Sequence, residues 1–248
     1  MAWYSYLMLT LIGVITGIIN VLAGGGSLIT LPILIFMGLP PSVANGTNRL
    51  GLLVQTITGV ISFKKQGISN FKFALALSLV AILGAILGVQ IAIDMSDELF
   101  KKVLAGVMIF VLGFVLFRQK ITRQKIESST RLKQAMLFLS FFFIGVYGGF
   151  IQAGVGFIII ATLAYFTSFD LIRINAIKIF VVSFYMLVSL GVFVYHDKIH
   201  WPAAVFLALG TGLGGWLGAK INVSRGEGVV KVVLVVAVLG FVCKLLFF

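Results

Sequence analysis

Hydrophobic residues run in long stretches along this chain, with short polar segments between them. Ten such runs are visible, at 3–22, 28–37, 43–63, 71–93 and 99–117, and then at 135–152, 156–166, 172–195, 201–221 and 229–248. Most approach the ~20 residues that a helix needs to cross a bilayer, but 28–37 and 156–166 are too short. The pattern predicts an all-α polytopic membrane protein in which these two segments are half-helices or re-entrant pieces.

Three consecutive glycines interrupt the first part of this pattern. Gly24, Gly25 and Gly26 precede Ser27, and each glycine costs ~1 kcal/mol relative to alanine inside a helix, so a break is expected here. Irregular backbone at membrane depth survives only where protein or a water-filled cavity satisfies its polar groups. We therefore expect 24–27 to form a loop that faces a cavity. The next helix would aim its free N–H groups and positive dipole end into that cavity, which suits an anion.

The two halves of the chain repeat each other. Asn45 and Asn175 are 130 positions apart, and an offset of 132 relates Asn20 to Gln152. The glycine break recurs in the second half as Ala153-Gly-Val-Gly156. Five runs in each half predict two inverted repeats, 1–117 and 134–248, joined by a linker at 118–133. Gly-x-x-x-Gly pairs predict close helix packing inside one subunit rather than dimerisation; they begin at Gly13, Gly84, Gly145 and Gly214.

Charge in the loops predicts the orientation. The linker 118–133 holds six Lys or Arg residues and one Glu, so the positive-inside rule places it in the cytoplasm. Five crossings per half then put one set of basic residues inside and one set of acidic residues outside. The inner set is Lys64, Lys65, Lys72, Lys220, Arg225 and Lys231, and the outer set is Asp94, Asp97 and Glu98. Ten crossings with both termini outside are favoured over eight crossings and two re-entrant hairpins.

Polar or small residues recur on one face of the run at 43–63 and of its counterpart at 172–195. The first face carries Asn45, Asn48, Leu52, Gln55, Gly59 and Ser62, and the second carries Asn175, Lys178, Val182, Tyr185, Ser189 and Val192. Such faces turn toward the interior of a helix bundle, and we interpret both as walls of one pathway. The alternative is that these side chains only hold neighbouring helices together. For Asn45 and Asn175, near the helix starts, helix capping is an equal alternative.

Arg49 and Lys178 are the cations nearest these two faces. In an inverted arrangement they lie near opposite mouths of the pathway, which suits an anion that enters from either side. The alternative is that each side chain snorkels to the membrane interface and acts as an anchor.

Composition and charge exclude several classes of protein. Hydrophobic residues make up 60% of the chain, charged residues make up 10% and the mean hydropathy is +1.17, which excludes a soluble domain. The net charge of +12 is attributed to membrane orientation rather than to nucleic acid. Every acidic residue falls at a run end or in a loop, so no proton relay, cation site or catalytic set is indicated. One cysteine, Cys243, and two histidines, His196 and His200, indicate no metal or other cofactor.

The motifs resemble those of a known family. Gly13-x-x-x-Gly17, Ala23-Gly-Gly-Gly-Ser27, Pro32 and Ala44-Asn-Gly-Thr-Asn48, with the second copy at 149–156, resemble the TauE/SafE sulfite exporter family over almost the whole chain. The resemblance implies an inner-membrane permease for sulfur-containing anions such as sulfite, organosulfonates and sulfoacetate. The second copy departs from the first, with Val155 and Phe157 where the first copy has Gly25 and Ser27.

Together these observations predict a permease that exports a small sulfur-containing anion and binds it at the midplane between the repeats. The membrane potential, negative inside, would drive the anion out without a coupling ion. A non-transporting assembly or sensor subunit is the alternative. The predicted substrate-binding residues are Gly24, Gly25, Gly26, Ser27, Asn45, Asn48, Arg49, Gln55, Gln152, Gly154, Gly156, Asn175, Lys178 and Tyr185.

Overall fold

A computed structural model of the protein describes residues 3–68, 70–117 and 131–225. Within these ranges the regular structure is helical, which confirms the all-α prediction. The helices are α1 (Trp3–Ala23), α2 (Ser27–Phe36), α3 (Pro41–Lys65), α4 (Phe71–Asp94), α5 (Asp97–Phe117), α6 (Arg131–Phe150), α7 (Val155–Phe166), α8 (Leu171–Tyr195) and α9 (Trp201–Arg225). The predicted tenth run, most of the linker, Cys243, Glu127 and Glu227 lie outside the described residues.

Length and hydropathy together identify the helices that can cross a membrane. Within the described ranges, α1, α4, α6, α8 and most of α9 are long and apolar enough to cross a membrane. The two segments predicted to be short are indeed short, with 10 residues in α2 and 12 in α7. Large apolar side chains on the outer faces are exposed, as expected for contact with lipid; examples are Leu11, Leu83, Phe143, Leu209 and Leu213. The chain is an integral membrane protein.

Glycines bring two pairs of helices into close contact. α1 packs against α9, and α4 packs against α6, so each half supplies one helix to each pair. A Cβ atom on Gly17 of α1 would lie 2.7 Å from Thr211 O on α9, and one on Gly145 of α6 would overlap Ala81 O on α4. Only glycine fits such contacts. The prediction that the Gly-x-x-x-Gly pairs pack helices within one subunit is confirmed.

The helices with the polar faces lie in the interior. α3 packs against α8 and α9, and α8 also packs against α4. Most of the buried polar side chains belong to α3, α8 and the C-terminal half of α1. The acidic residues of the described ranges lie at helix ends or in loops, as predicted; they are Asp94, Asp97, Glu98, Asp170 and Asp197.

Candidate functional site

The break between α1 and α2 lies against the break between α6 and α7. Gly24 and Gly154 both have positive φ, +85° and +73°, a conformation that other residues rarely adopt. A Cβ atom on Gly156 would lie 2.8 Å from Gly24 O and would overlap the Gly24 Cα atom. At Gly24 and Gly156 the two breaks therefore touch backbone to backbone. This contact places the N-terminal ends of the short helices α2 and α7 side by side in the interior.

Several backbone N–H groups at this contact have no acceptor. In the described part of the chain, the N–H groups of Gly25, Gly154 and Gly156 make no hydrogen bond, and all three residues are buried. The breaks are also linked directly, because Ser27 Oγ donates to Gln152 O at 3.3 Å. Buried N–H groups without acceptors are rare in folded proteins, and at a helix N-terminus they form a favourable environment for an anion.

Arg49 holds the end of α6. Its Nη1 atom donates to Gly148 O at 3.2 Å, and its Nη2 atom donates to Gly149 O at 2.5 Å and to Phe150 O at 3.2 Å. Asn45 Nδ2 donates to the same Phe150 oxygen at 2.9 Å. These carbonyls form the negative end of the α6 dipole, so a guanidinium is stabilised there. The side chain is fully buried, and its charge also faces the ring of Phe193.

Lys178 holds the end of α1 in a corresponding way. Its Nζ atom donates to Asn20 O at 3.1 Å, to Val21 O at 2.8 Å and to Asn175 Oδ1 at 2.8 Å. Asn175 Nδ2 donates to Leu22 O at 3.3 Å. Each half of the chain therefore supplies one asparagine and one cation that cap the C-terminal end of the broken helix in the other half.

The burial of these cations corrects two sequence-based expectations. The exposed fraction is 0% for Arg49 and 2% for Lys178, so neither side chain snorkels to the interface or lies at a mouth of the structure. The capping expectation also needs revision. Asn45 and Asn175 do not cap their own helices, because the N-cap residues of α3 and α8 are Pro40 and Asp170.

Two matched polar pairs flank the glycine contact. Asn20 Nδ2 donates to Gln55 Oε1 at 2.8 Å, and Tyr185 Oη donates to Gln152 Oε1 at 2.8 Å. The second pair is the counterpart of the first, since the offset of 132 relates Asn20 to Gln152 and the offset of 130 relates Gln55 to Tyr185. Gln152 has a φ of 62°, which is unusual for a residue with a side chain. Asn48 lies beside this region, where its Oδ1 atom accepts from Thr30 Oγ1 at 2.7 Å.

The balance of charge and hydrogen bonds favours a negative ligand. Among the described residues the buried charged side chains are Arg49 and Lys178, and no Asp or Glu is buried with them. Of the four buried side-chain atoms without a partner in the described residues, Arg49 Nε and Gln55 Nε2 can only donate, Ser189 Oγ can donate or accept, and Asn222 Oδ1 is the one pure acceptor. Each cation caps a helix C-terminus, whose dipole is equivalent to about half a negative charge and offsets about half of the positive charge. About one positive charge, two helix N-termini and several free donors remain at the centre.

The structure adds residues that the sequence-based site lacks. All fourteen predicted residues are buried, and the breaks, caps and polar pairs bring most of them together. Asn20 and Tyr147 were missed, although Asn20 binds Gln55 and Gly26, and Tyr147 Oη donates to Ala153 O. Asn20 could have been found as the counterpart of Gln152 at offset 132. Tyr147 carries no such signal, because it is an aromatic residue within an apolar run.

Known proteins of similar sequence are named as membrane transporters. Probable membrane transporter protein ORF9 of Sinorhizobium sp is 25% identical over 247 residues, which are 99% of this chain and 94% of that protein. A probable membrane transporter protein of Haemophilus influenzae is 26% identical over 226 residues, 91% of this chain and 88% of that protein. Probable membrane transporter protein YfcA of Escherichia coli K12 is 23% identical over 245 residues, 97% and 89% of the two chains. No solved structure matches.

These similarities and the apolar helical bundle define the chain as a membrane transporter. The sequence model of one family, described as Sulfite exporter TauE/SafE, matches residues 9–245. The chain belongs to this family, and the resemblance seen in its motifs is confirmed.

Proposed function

We propose that this protein is a permease, not an enzyme, that moves a small sulfur-containing anion such as sulfite or an organosulfonate out of a bacterial cell. The observation that carries the proposal is the presence of two buried cations, Arg49 and Lys178, without a buried carboxylate in the described residues. A pathway for cations would need the opposite charge. The description of the family supports the choice of a sulfur oxyanion.

The anion binds where the N-termini of α2 and α7 meet. The free N–H groups of Gly25, Gly154 and Gly156 supply donors, and the two helix dipoles point their positive ends at the ligand. Arg49 and Lys178 act from the side as fixed charges, since their hydrogen bonds to helix ends hold them in place. A tetrahedral or trigonal oxyanion presents several acceptors to such a set of converging donors.

Export follows from the charge of the ligand and the orientation of the protein. Lys64 and Lys65 end α3, and Lys220 shares the Trp216 ring with Lys65, so these cations gather at one end of the bundle. By the positive-inside rule that end faces the cytoplasm, with the protein in the cytoplasmic membrane and both termini outside. A potential that is negative inside then contributes ~2.3 kcal/mol per 100 mV for each negative charge expelled. That gain is nearly two decades of concentration ratio, so export needs no coupling ion.

Flux in liposomes tests the proposal. Purified protein is tested for binding of sulfite, taurine, isethionate, sulfoacetate and sulfate, and efflux of each ligand that binds is measured from loaded vesicles. We expect saturable efflux of at least one sulfur anion, and no flux of sodium or potassium. Binding without efflux would favour the alternative, a sensor or assembly subunit. Absence of binding to every anion would overturn the proposal.

A further inference from the structure

A chain of three polar groups leads from the beginning of α2 to α3. The N–H group of Gly26 donates to Asn20 Oδ1 at 3.2 Å, and Asn20 Nδ2 donates to Gln55 Oε1 at 2.8 Å. Gln55 is 1% exposed, and its Nε2 group has no partner in the described residues. The chain therefore begins at a helix N-terminus and ends at a buried donor that has nothing to bind.

The direction of this chain is fixed by its first member. A backbone N–H group can only donate, so the Asn20 atom that faces Gly26 must be the amide oxygen. Asn20 then turns its NH₂ group to Gln55, and Gln55 must turn its own oxygen to Asn20. The Gln55 NH₂ group is left facing away from Asn20. Asn20 thus decides whether Gln55 offers a donor or an acceptor.

We propose that Asn20 is a positioning residue that fixes the Gln55 amide so that Nε2 donates a hydrogen bond to the transported anion. This inference rests on the proposed function. The positive end of the α2 dipole polarises the chain and strengthens the last donor, because hydrogen bonds in a chain reinforce one another at low dielectric. The anion satisfies a group that would otherwise stay buried and unpaired, which is costly in a protein interior.

The second half supports a specific role for this end of the site. The corresponding pair is Tyr185 and Gln152, in which the tyrosine uses its only O–H group on Gln152 Oε1. Tyr185 therefore has no further proton to donate, whereas Gln55 keeps two. Of the two corresponding positions on α3 and α8, Gln55 is the one that keeps a side-chain donor for the anion, whereas the amide donor of the second pair belongs to Gln152 itself.

A double-mutant cycle on the full-length protein tests this arrangement. The variants are Asn20→Leu, Gln55→Met and the pair together, and the dissociation constants of sulfite and isethionate are measured in detergent. Gln55→Met removes a hydrogen bond to a charged ligand, so binding should weaken roughly ten- to hundred-fold. Asn20→Leu should weaken binding on the order of five-fold, because the Gln55 amide is no longer held. In the Gln55→Met background, Asn20→Leu should have no further effect on binding.

Two controls separate positioning from general damage. Thr58→Val removes a hydrogen bond of similar length from α3 to Gly212 O, 2.8 Å, and should leave the dissociation constants unchanged. If Asn20→Leu does not fold, Asn20→Ser replaces it, since a hydroxyl can accept from Gly26 but is too short to reach Gln55. Equal losses from the Asn20 substitution in both backgrounds, or no loss in the native background, would overturn the inference. Failure of the native protein to bind any of the tested sulfur anions would instead overturn the proposed function.

Discussion

Replacing glycine by alanine can harm this protein by straining the backbone or by overlapping a neighbouring atom, and four glycines allow the two effects to be separated. Gly106 has open space around it and no positive φ, and Gly38 has open space but a φ of +93°. Gly156 has no positive φ but touches Gly24, and Gly24 has both the contact and a φ of +85°. Alanine at Gly106 therefore introduces neither effect, and alanine at Gly38 introduces backbone strain alone. Alanine at Gly156 introduces steric overlap alone, and alanine at Gly24 introduces both.

The expected magnitudes follow from the geometry. Gly38→Ala should lower the free energy of unfolding by ~1–2 kcal/mol, the cost of a left-handed residue with a Cβ atom, and leave transport unchanged. In Gly156→Ala the new Cβ atom would lie 2.8 Å from Gly24 O, and closer still to Gly24 Cα, where carbon atoms normally keep ~3.5–4.0 Å. The two breaks must then separate by roughly 1 Å. A displacement of that size costs a catalytic site on the order of a hundred-fold, and we expect a similar loss of flux.

The assay compares initial efflux of a labelled sulfonate from liposomes with thermal unfolding of the same preparation. Gly106→Ala should match the native protein in flux and raise the free energy of unfolding by ~1 kcal/mol, because Gly106 lies inside α5 and alanine is the better helix former. Gly24→Ala should be the worst in both measurements. The decisive comparison is Gly156→Ala with Gly38→Ala, because the first should lose transport and the second only stability. Native flux in Gly156→Ala would refute the idea that the contact between the breaks shapes the binding site.

Three further predictions concern the charges and the polar faces. Arg49→Lys should not restore the efflux lost in Arg49→Gln, because one ammonium cannot reproduce the planar fork that reaches three successive carbonyls; efflux assays of both variants test this. Asn48→Leu and Gln55→Leu should weaken apparent affinity more than they lower the melting temperature, and the reverse order would make these residues packing elements. An imposed inside-negative potential should speed efflux of a labelled sulfonate while an imposed proton gradient does not, and Lys178→Gln should slow that efflux; flux that follows the proton gradient instead would refute uniport.

The local features of the fold could be predicted because their causes are local. The lengths of α2 and α7 follow from how far each hydrophobic run extends, and the break at Gly24 follows from the cost of glycine in a helix. The tight packing of Gly17 and Gly145 follows from spacing along one helix face. In each case a short window of sequence contains the whole physical reason.

The hydrogen-bond partners of the buried cations could not be predicted in the same way. Arg49 binds carbonyls that lie 99 to 101 residues later, and Lys178 binds carbonyls 157 and 158 residues earlier. Backbone carbonyls are present in every residue, so no sequence pattern marks them as partners. The role of Asn20 depends on the same kind of contact, because only the fold brings the end of α1 beside the middle of α3.

The contacts of Arg49 join the first half of the chain to the second, and this has a consequence during synthesis. The first acceptor of Arg49 is made 99 residues after it, which at ~5–20 residues per second is a wait of roughly 5–20 s. Until α6 emerges from the ribosome, the Arg49 charge lacks its three carbonyl acceptors and has only Asn45 Oδ1 of the same helix, at 3.4 Å, and such a poorly paired charge is expensive in lipid. We therefore expect α3 to stay in the protein-lined insertion channel until α6 arrives and to enter the bilayer only with it.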